Sequence, residues 1–321
     1  MSEINEIQKV KRSDRYRGRI SQIPIYIGKF FRMFVYQNDW KVIPMAGFIA
    51  MLVSFVVRDI YSVTMEGSLK GAVAMMCVSL WNGFFNSIQV VCRERSIIKR
   101  EHRSGMHISS YIFAHMVYQA FLCGLQTIVT VGVFLMMKVH FPDTAVVSGY
   151  FLVDFLVTLF LITYAADMLS LFISCLVRTT TAAMTVMPLV LMVQLIFSGG
   201  LFAVPESMKP LSAVMISNHG SAALAAEGNY NDLPAATGWT LIEKMGKREG
   251  ADPRIKEAIE KLKETGMDNM IKTETAKSGY NKNYENTYEN IKHRWHLLLV
   301  FAGIYALCAV ITLEFIDRDR R

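Results

Sequence analysis

The chain has 321 residues, 52% of them hydrophobic and 19% charged, and a formal charge of +7. That is too apolar for an ordinary soluble enzyme, in which charged residues run to about a quarter of the total. The basic excess flanks apolar runs and forms no basic domain of its own, which argues against nucleic acid as a partner and points to a membrane.

The first twenty residues, "MSEINEIQKVKRSDRYRGRI", are polar, so no cleavable signal peptide is expected there. Over 20–40 the periodicity predicts an amphipathic helix lying in the cytosolic interface. Ile23, Ile27, Phe30 and Phe34 share one side, and Lys29, Arg32, Tyr36 and Asp39 the other. Six spans are predicted at 40–57, 71–92, 111–137, 146–177, 182–204 and 295–316, because a hydrocarbon core of about 30 Å takes about 20 apolar residues of helix. The fourth is long enough to tilt or to extend beyond the bilayer. Pro188 and the following "FSGG" (197–200) should kink the fifth or end it early. With the N-terminus inside, the inner pieces carry eighteen Lys and Arg, and the two short outer loops carry only Arg58, Lys70 and Lys138. An N-in, C-in, all-α polytopic protein follows. Its parts are a cytosolic N-terminus (1–39), spans one to five with an inner segment at 93–108 (40–204), an extracytoplasmic segment (205–294) and a last span with a short tail (295–321).

In the second span, "WNGFFNSIQ" (81–89) places Asn82, Phe85, Asn86 and Gln89 close together around the helix. Such a stripe avoids lipid and faces either another helix or a water-accessible cavity that grips an amphipathic molecule. The inner segment "CRERSIIKREHRSG" (92–105) is a short charged helix. Ile97 and Ile98 form an apolar ridge on it, Glu94 and Glu101 lie on the same side, and Arg95, Lys99 and Arg103 lie opposite. It serves either as a docking helix for a partner's groove or as a positive anchor that fixes topology. Asp154 and Asp167 fall in the fourth span, about 220° apart around a helix, so they do not pair. Asp154 lies near the outer end within reach of water. Asp167 is deeper and needs an amide or hydroxyl from a neighbouring span, for structure or for ion or proton transport.

Beyond Pro205, "VPESMKPLSAVMISNHGSAALAA" predicts a short re-entrant helix pair, "DPRIKEAIEKLKETGMDNMIK" an amphipathic helix, and "SGYNKNYENTYEN" a solvent-facing polar chain. All five cysteines lie in or beside apolar segments, which gives neither a disulfide framework nor a zinc spacing. There is no GxxxxGK[ST], HExxH, GxSxG or GxGxxG, and the histidines have no ligand spacing. Catalytic residues, a metal site and a cofactor bound by this chain are therefore not expected.

Three passages resemble the permease half of ABC-2 type exporters, in particular that of the ABC transporter G subfamily. "ERSIIKREHRSGMHISSYIFAHMV" (94–117) is similar to the family's cytosolic coupling helix and the start of its third span. "DMLSLFISCLVRT" (167–179) looks like the close of its fourth span. "LIFSGGLFAVPESMKPLSAVMISNHGSAAL" (195–224) looks like the end of its fifth span with the re-entrant helices. The resemblance implies an exporter of amphipathic or lipidic substrates that works by alternating access. It also implies dimerisation with a second permease subunit, identical or paralogous, and pairing with ABC ATP-binding subunits that hold ATP and Mg. Only about twenty residues precede the amphipathic helix, so the ATPase is expected on another polypeptide. Glu94, Arg95, Ile97, Ile98, Arg100 and Glu101 would form the ATPase-coupling set. Met192 and Leu195 would line a central cavity together with the stripe of the second span, and Leu201 and Phe202 would form its outer plug. Where multidrug members carry a stacking aromatic this chain has Asn82, and the run from Gly105 to Tyr111 is one residue shorter. The outer segment lacks the cysteines of some eukaryotic relatives, and a bacterial cytoplasmic membrane is the expected location. Alternatives are a peptide or immunity exporter and a non-transporting membrane regulator or scaffold.

Overall fold

The computed structural model describes residues 18–36, 39–142, 145–202, 204–233, 246, 252–266 and 279–315. The polar start, the charged tail and the "MDNMIK" stretch lie outside the described residues. Among the described residues every regular element is helical. In chain order they are α1 (Arg19–Tyr36), α2 (Val42–Val57), α3 (Met65–Ser87), α4 (Val90–Arg103), α5 (Ile108–Met136), α6 (Phe151–Leu176), α7 (Thr180–Ile196), α8 (Lys209–Ser212), α9 (Ile216–Glu227), α10 (Pro253–Glu264) and α11 (Tyr288–Glu314). Among the described residues, four helical stretches are long and apolar enough to cross a membrane: Met65–Arg103, Ile108–Met136, Phe151–Leu176 and Tyr288–Glu314. Two further apolar helices, α2 and α7, are shorter, at 16 and 17 residues.

Local chemistry sets the boundaries. Thr64 caps α3 by accepting a hydrogen bond from the Gly67 amide at 3.2 Å, so the helix starts six residues before the predicted span. Thr179 caps α7 through the Ala182 amide at 3.2 Å. Pro188 does not end α7. The helix runs through it to Ile196, just before "FSGG", where Gly199 turns the chain at φ +73°. α6 begins at Phe151, five residues into the predicted span, because Asp154 accepts from the Val147 amide (3.0 Å) and the Ser148 amide (3.0 Å) and fixes a turn there. Asp154 is 1% exposed, so it does not reach out to water as expected; backbone amides take the place of hydration.

α6 is the central helix. α3 and α11 pack along it, and α5 and α9 add to its cover. α3 approaches closest at Gly83, where an added Cβ would lie 2.3 Å from the Thr163 carbonyl and 2.8 Å from the Asp167 nitrogen. Ser170 Oγ crosses to the Phe84 carbonyl at 2.8 Å. α1 lies on α5 instead of standing alone. Its predicted apolar side, Ile23, Ile27, Phe30 and Phe34, packs into the protein core, and Phe30 is 2% exposed. Arg32 and Tyr36 face outward as predicted, but Lys29 is drawn in by Glu101.

At the opposite end of the bundle, α9 is buried along its whole length except at Asn218. Protein covers it from several sides: Tyr61 Oη donates to the Leu224 carbonyl (2.8 Å), Gln194 Oε1 accepts from the Ser217 amide (3.0 Å), and Ser221 Oγ donates to the Ser198 carbonyl (2.9 Å). The segment predicted as solvent-facing chain docks there too. Asn231 and Asn281 exchange two 3.0 Å hydrogen bonds, and Tyr284, 8% exposed, packs edge-on against Tyr230. An asparagine-rich stretch is polar by composition, yet its amides pair with backbone as well as with water.

Candidate functional site

In place of the helix expected over 93–108 stands α4, which starts three residues earlier, ends at Arg103 and joins α3 through an elbow at Ile88 and Gln89. A helix start leaves amides without intrahelical partners. Here the amides of Val91 and Cys92 donate to Ser174 Oγ of α6, at 3.1 and 3.3 Å. One turn on, Arg95 Nη1 donates to the carbonyls of Cys175 (2.9 Å) and Val177 (3.1 Å) at the C-terminal end of α6. A guanidinium suits that place because it fills orphan carbonyls and meets the negative end of the helix dipole. The other flank is held by α1. Glu101 accepts from Tyr26 Oη and Lys29 Nζ, each at 3.3 Å, and Glu94 lies 3.9 Å from the same ammonium. Burial and the Glu101 carboxylate push the Tyr26 hydroxyl up to about 12, so it remains a donor at any physiological pH. The turn after α4 needs Gly105, at φ +103°, and Gln22 clamps it by donating to the Gly105 carbonyl (3.0 Å) and accepting from the His107 amide (2.9 Å).

These contacts place the predicted coupling residues. Ile98 is fully buried and Glu94 is 7% exposed, while Arg95 and Glu101 bond to their own chain. The expected ridge of two exposed isoleucines is therefore corrected to one: Ile97 is 39% exposed, and Ile98 turns into the core one residue later. The outward face of α4 carries Arg93, Ser96, Ile97, Arg100 and Arg103. That spacing is a single helical stripe, basic with one apolar contact at its centre.

Behind the elbow lies a cavity of about 210 Å³. Of the six residues expected around a cavity, Phe85, Asn86 and Gln89 line it. Asn82 is buried at 4% exposure without reaching it, and Met192 and Leu195 lie apart on α7, where Met192 is 65% exposed. Asn86 is committed to packing as well: it donates to Gln126 Oε1 at 2.8 Å and accepts from Gln126 Nε2 at 3.0 Å. Sequence reasoning missed Phe30, His115, Tyr118 and Gln119, which complete the wall. A signal was present, since His115, Tyr118, Gln119 and Leu122 follow the i, i+3, i+4, i+7 spacing of one face of α5.

Asp167 is fully buried and receives Cys123 Sγ at 3.5 Å, and among the described residues its Oδ1 has no hydrogen-bond partner. Leu201 and Phe202 are 45% and 60% exposed past the end of α7. No group of side chains that could hold a metal ion occurs among the described residues.

Residues 15–217, which hold α1 to α7, the elbow and its cavity, match the family model described as ABC-2 type transporter. The chain belongs to the ABC-2 type transporter family. No curated protein matches it. As an ABC-2 permease it is a multi-pass membrane component of a transporter and is not itself catalytic. Permeases of this family generally work with an ATP-binding subunit and often dimerise. Within this ABC-2 permease, α4 is the structured element that fastens α1 to the end of α6, with Ile97 and Arg100 exposed on its outer side.

Proposed function

We propose that this permease is the membrane subunit of an ATP-driven exporter of the G-subfamily type, with six spans, both termini inside and α4 as its coupling helix. α2 and α7 are the two additional spans; at about 1.5 Å per residue they are short for a full core, and local thinning of the bilayer accommodates them. Two permease subunits and two separate ATP-binding subunits, which carry ATP and Mg, complete the machine. An amphipathic or lipidic substrate moves outward by alternating access past Leu201 and Phe202. The observation that carries this reading is the fastening of α4. Arg95 pins it to the end of α6 and Glu101 pins it to α1, so a push on its outward stripe moves α1, α3 and α6 together and is not lost in bending. A partner surface with an acidic group beside an apolar notch would match Arg100 and Ile97.

The test is co-purification from native membranes of a subunit carrying a GxxxxGK[ST] sequence. Arg100→Glu and Ile97→Asp, both on the outward stripe, are each expected to lower its capture about tenfold, the loss of one good interface contact. Normal capture by both variants would reject α4 as the docking element.

A further inference from the structure

We propose that the cavity behind the α3–α4 elbow is a binding site for a compact, uncharged amphiphile that donates a hydroxyl hydrogen bond. At about 210 Å³ it exceeds the apolar cavity of about 150 Å³ that suffices for benzene. Its walls are largely apolar and aromatic. The Phe30 ring lies on the His115 ring at 3.9 Å between centroids, Tyr118 stands 5.9 Å from Phe30, and Met33 and Leu122 close the sides.

Two buried polar atoms of this wall are unspent. Gln119 Oε1 and His115 Nδ1 have no hydrogen-bond partner among the described residues, and the two residues are 1% and 2% exposed. Their other polar atoms are committed: Gln119 Nε2 donates to Ser87 Oγ at 2.7 Å, and His115 Nε2 meets Tyr111 Oη at 3.1 Å. The bond to Ser87 fixes Gln119 Oε1 as an acceptor, so the cavity asks its occupant for a donor. A buried acceptor left unsatisfied is costly, and an occupant that fills it while burying carbon against Phe30 meets both demands of the wall. The charged groups on the wall are of both signs, Arg93 and Glu94, and Glu94 shares the Lys29 ammonium with Glu101, so the wall does not single out an ion of either sign. An anion would meet the Gln119 oxygen with the wrong sign. The occupant would sit between α1 and the elbow, against Ile88 and Gln89. It would therefore brace the joint through which α4 is hinged to α3.

The test reads binding and not transport, so its failure leaves the coupling role of α4 standing. The probe is an octan-1-ol carrying a diazirine on its chain, photolysed with the purified full-length permease in nanodiscs and mapped by peptide mass spectrometry. Adducts are expected on α1 near Phe30 and Met33 and on α5 between His115 and Leu122. Unlabelled octan-1-ol should compete, and methyl octyl ether, which lacks the donor, should compete about tenfold less well. Met33→Trp should fill the space and abolish the adducts. Gln119→Leu should lower labelling about tenfold. Adducts elsewhere, equal competition by the ether, or undiminished labelling of Gln119→Leu would each overturn the proposal. So would the absence of adducts, which would leave the cavity to water.

Discussion

Three buried carboxylates show how differently one residue type is handled. Asp154 spends both oxygens on backbone amides and so replaces water with a turn. Asp167 meets a thiol on one oxygen only. Glu227, at the end of α9, accepts from Thr158 Oγ1, which itself accepts from Trp295 Nε1 at 2.6 Å, and its other oxygen has no partner among the described residues. Burial, with Asp154 adding to it against the Thr158 hydroxyl, raises the Glu227 carboxyl from 4.5 to about 8. The folded state then binds this proton more tightly than the unfolded chain does. Its contribution to stability is complete below pH 4.5 and is lost as pH rises towards about 8. We expect the thermal midpoint of the purified permease to fall over that window, and Glu227→Gln to flatten the slope and raise the midpoint at pH 8. A variant whose slope matches the parent's would assign the pH dependence to other groups.

At the scale of elements, the bundle depends on one close crossing and one well-anchored lever. α3 meets α6 at Gly83 with a backbone carbonyl where a side chain would begin. Small residues at such crossings let helices approach in a membrane, where packing replaces the hydrophobic drive. Gly83→Ala should push the pair apart and cost about 1–3 kcal/mol, read as a lower unfolding midpoint in detergent. Gly124→Ala is the control: no atom lies within 4 Å of its added carbon, so no loss is expected. The helices themselves were largely legible, because apolar runs and the capping signals at Thr64 and Thr179 are local features of the chain. Less legible was which face of a short charged helix turns inward. Ile97 and Ile98 look alike in sequence, and a rotation of about 100° per residue puts one in the core and the other outside. Likewise, the amphipathic pattern of α1 announced an apolar face without saying that α5, and not lipid, covers it.

For the whole molecule, exposed apolar surface runs along α2, α5, α7 and α11. On α7 Leu189, Met192, Val193 and Ile196 are between 42% and 65% exposed, and Leu201 and Phe202 continue that surface past its end. Met192, expected to line a central cavity, thus lies on an open face of a single chain. Such a face suits a cavity closed by a second permease subunit. We expect Met192→Cys, in a background lacking the five native cysteines, to be joined to its copy by a short bismaleimide in membranes, giving a dimer band. A cysteine placed at Met136, 82% exposed at the end of α5, serves as the comparison and should not cross-link. If the two positions react alike, a specific α7 interface is excluded.

The sequence by itself determined that this chain is helical, apolar enough for a membrane and similar to an ABC-2 permease, because hydropathy, caps and motif order are properties of neighbouring residues. Only the tertiary structure decided that Arg95 and Glu101 bind their own bundle, that Ile98 is core and that His115 and Gln119 close a cavity with Phe30. Those assignments depend on contacts between residues as much as 85 positions apart, and no local pattern records which partner is nearest once the helices pack.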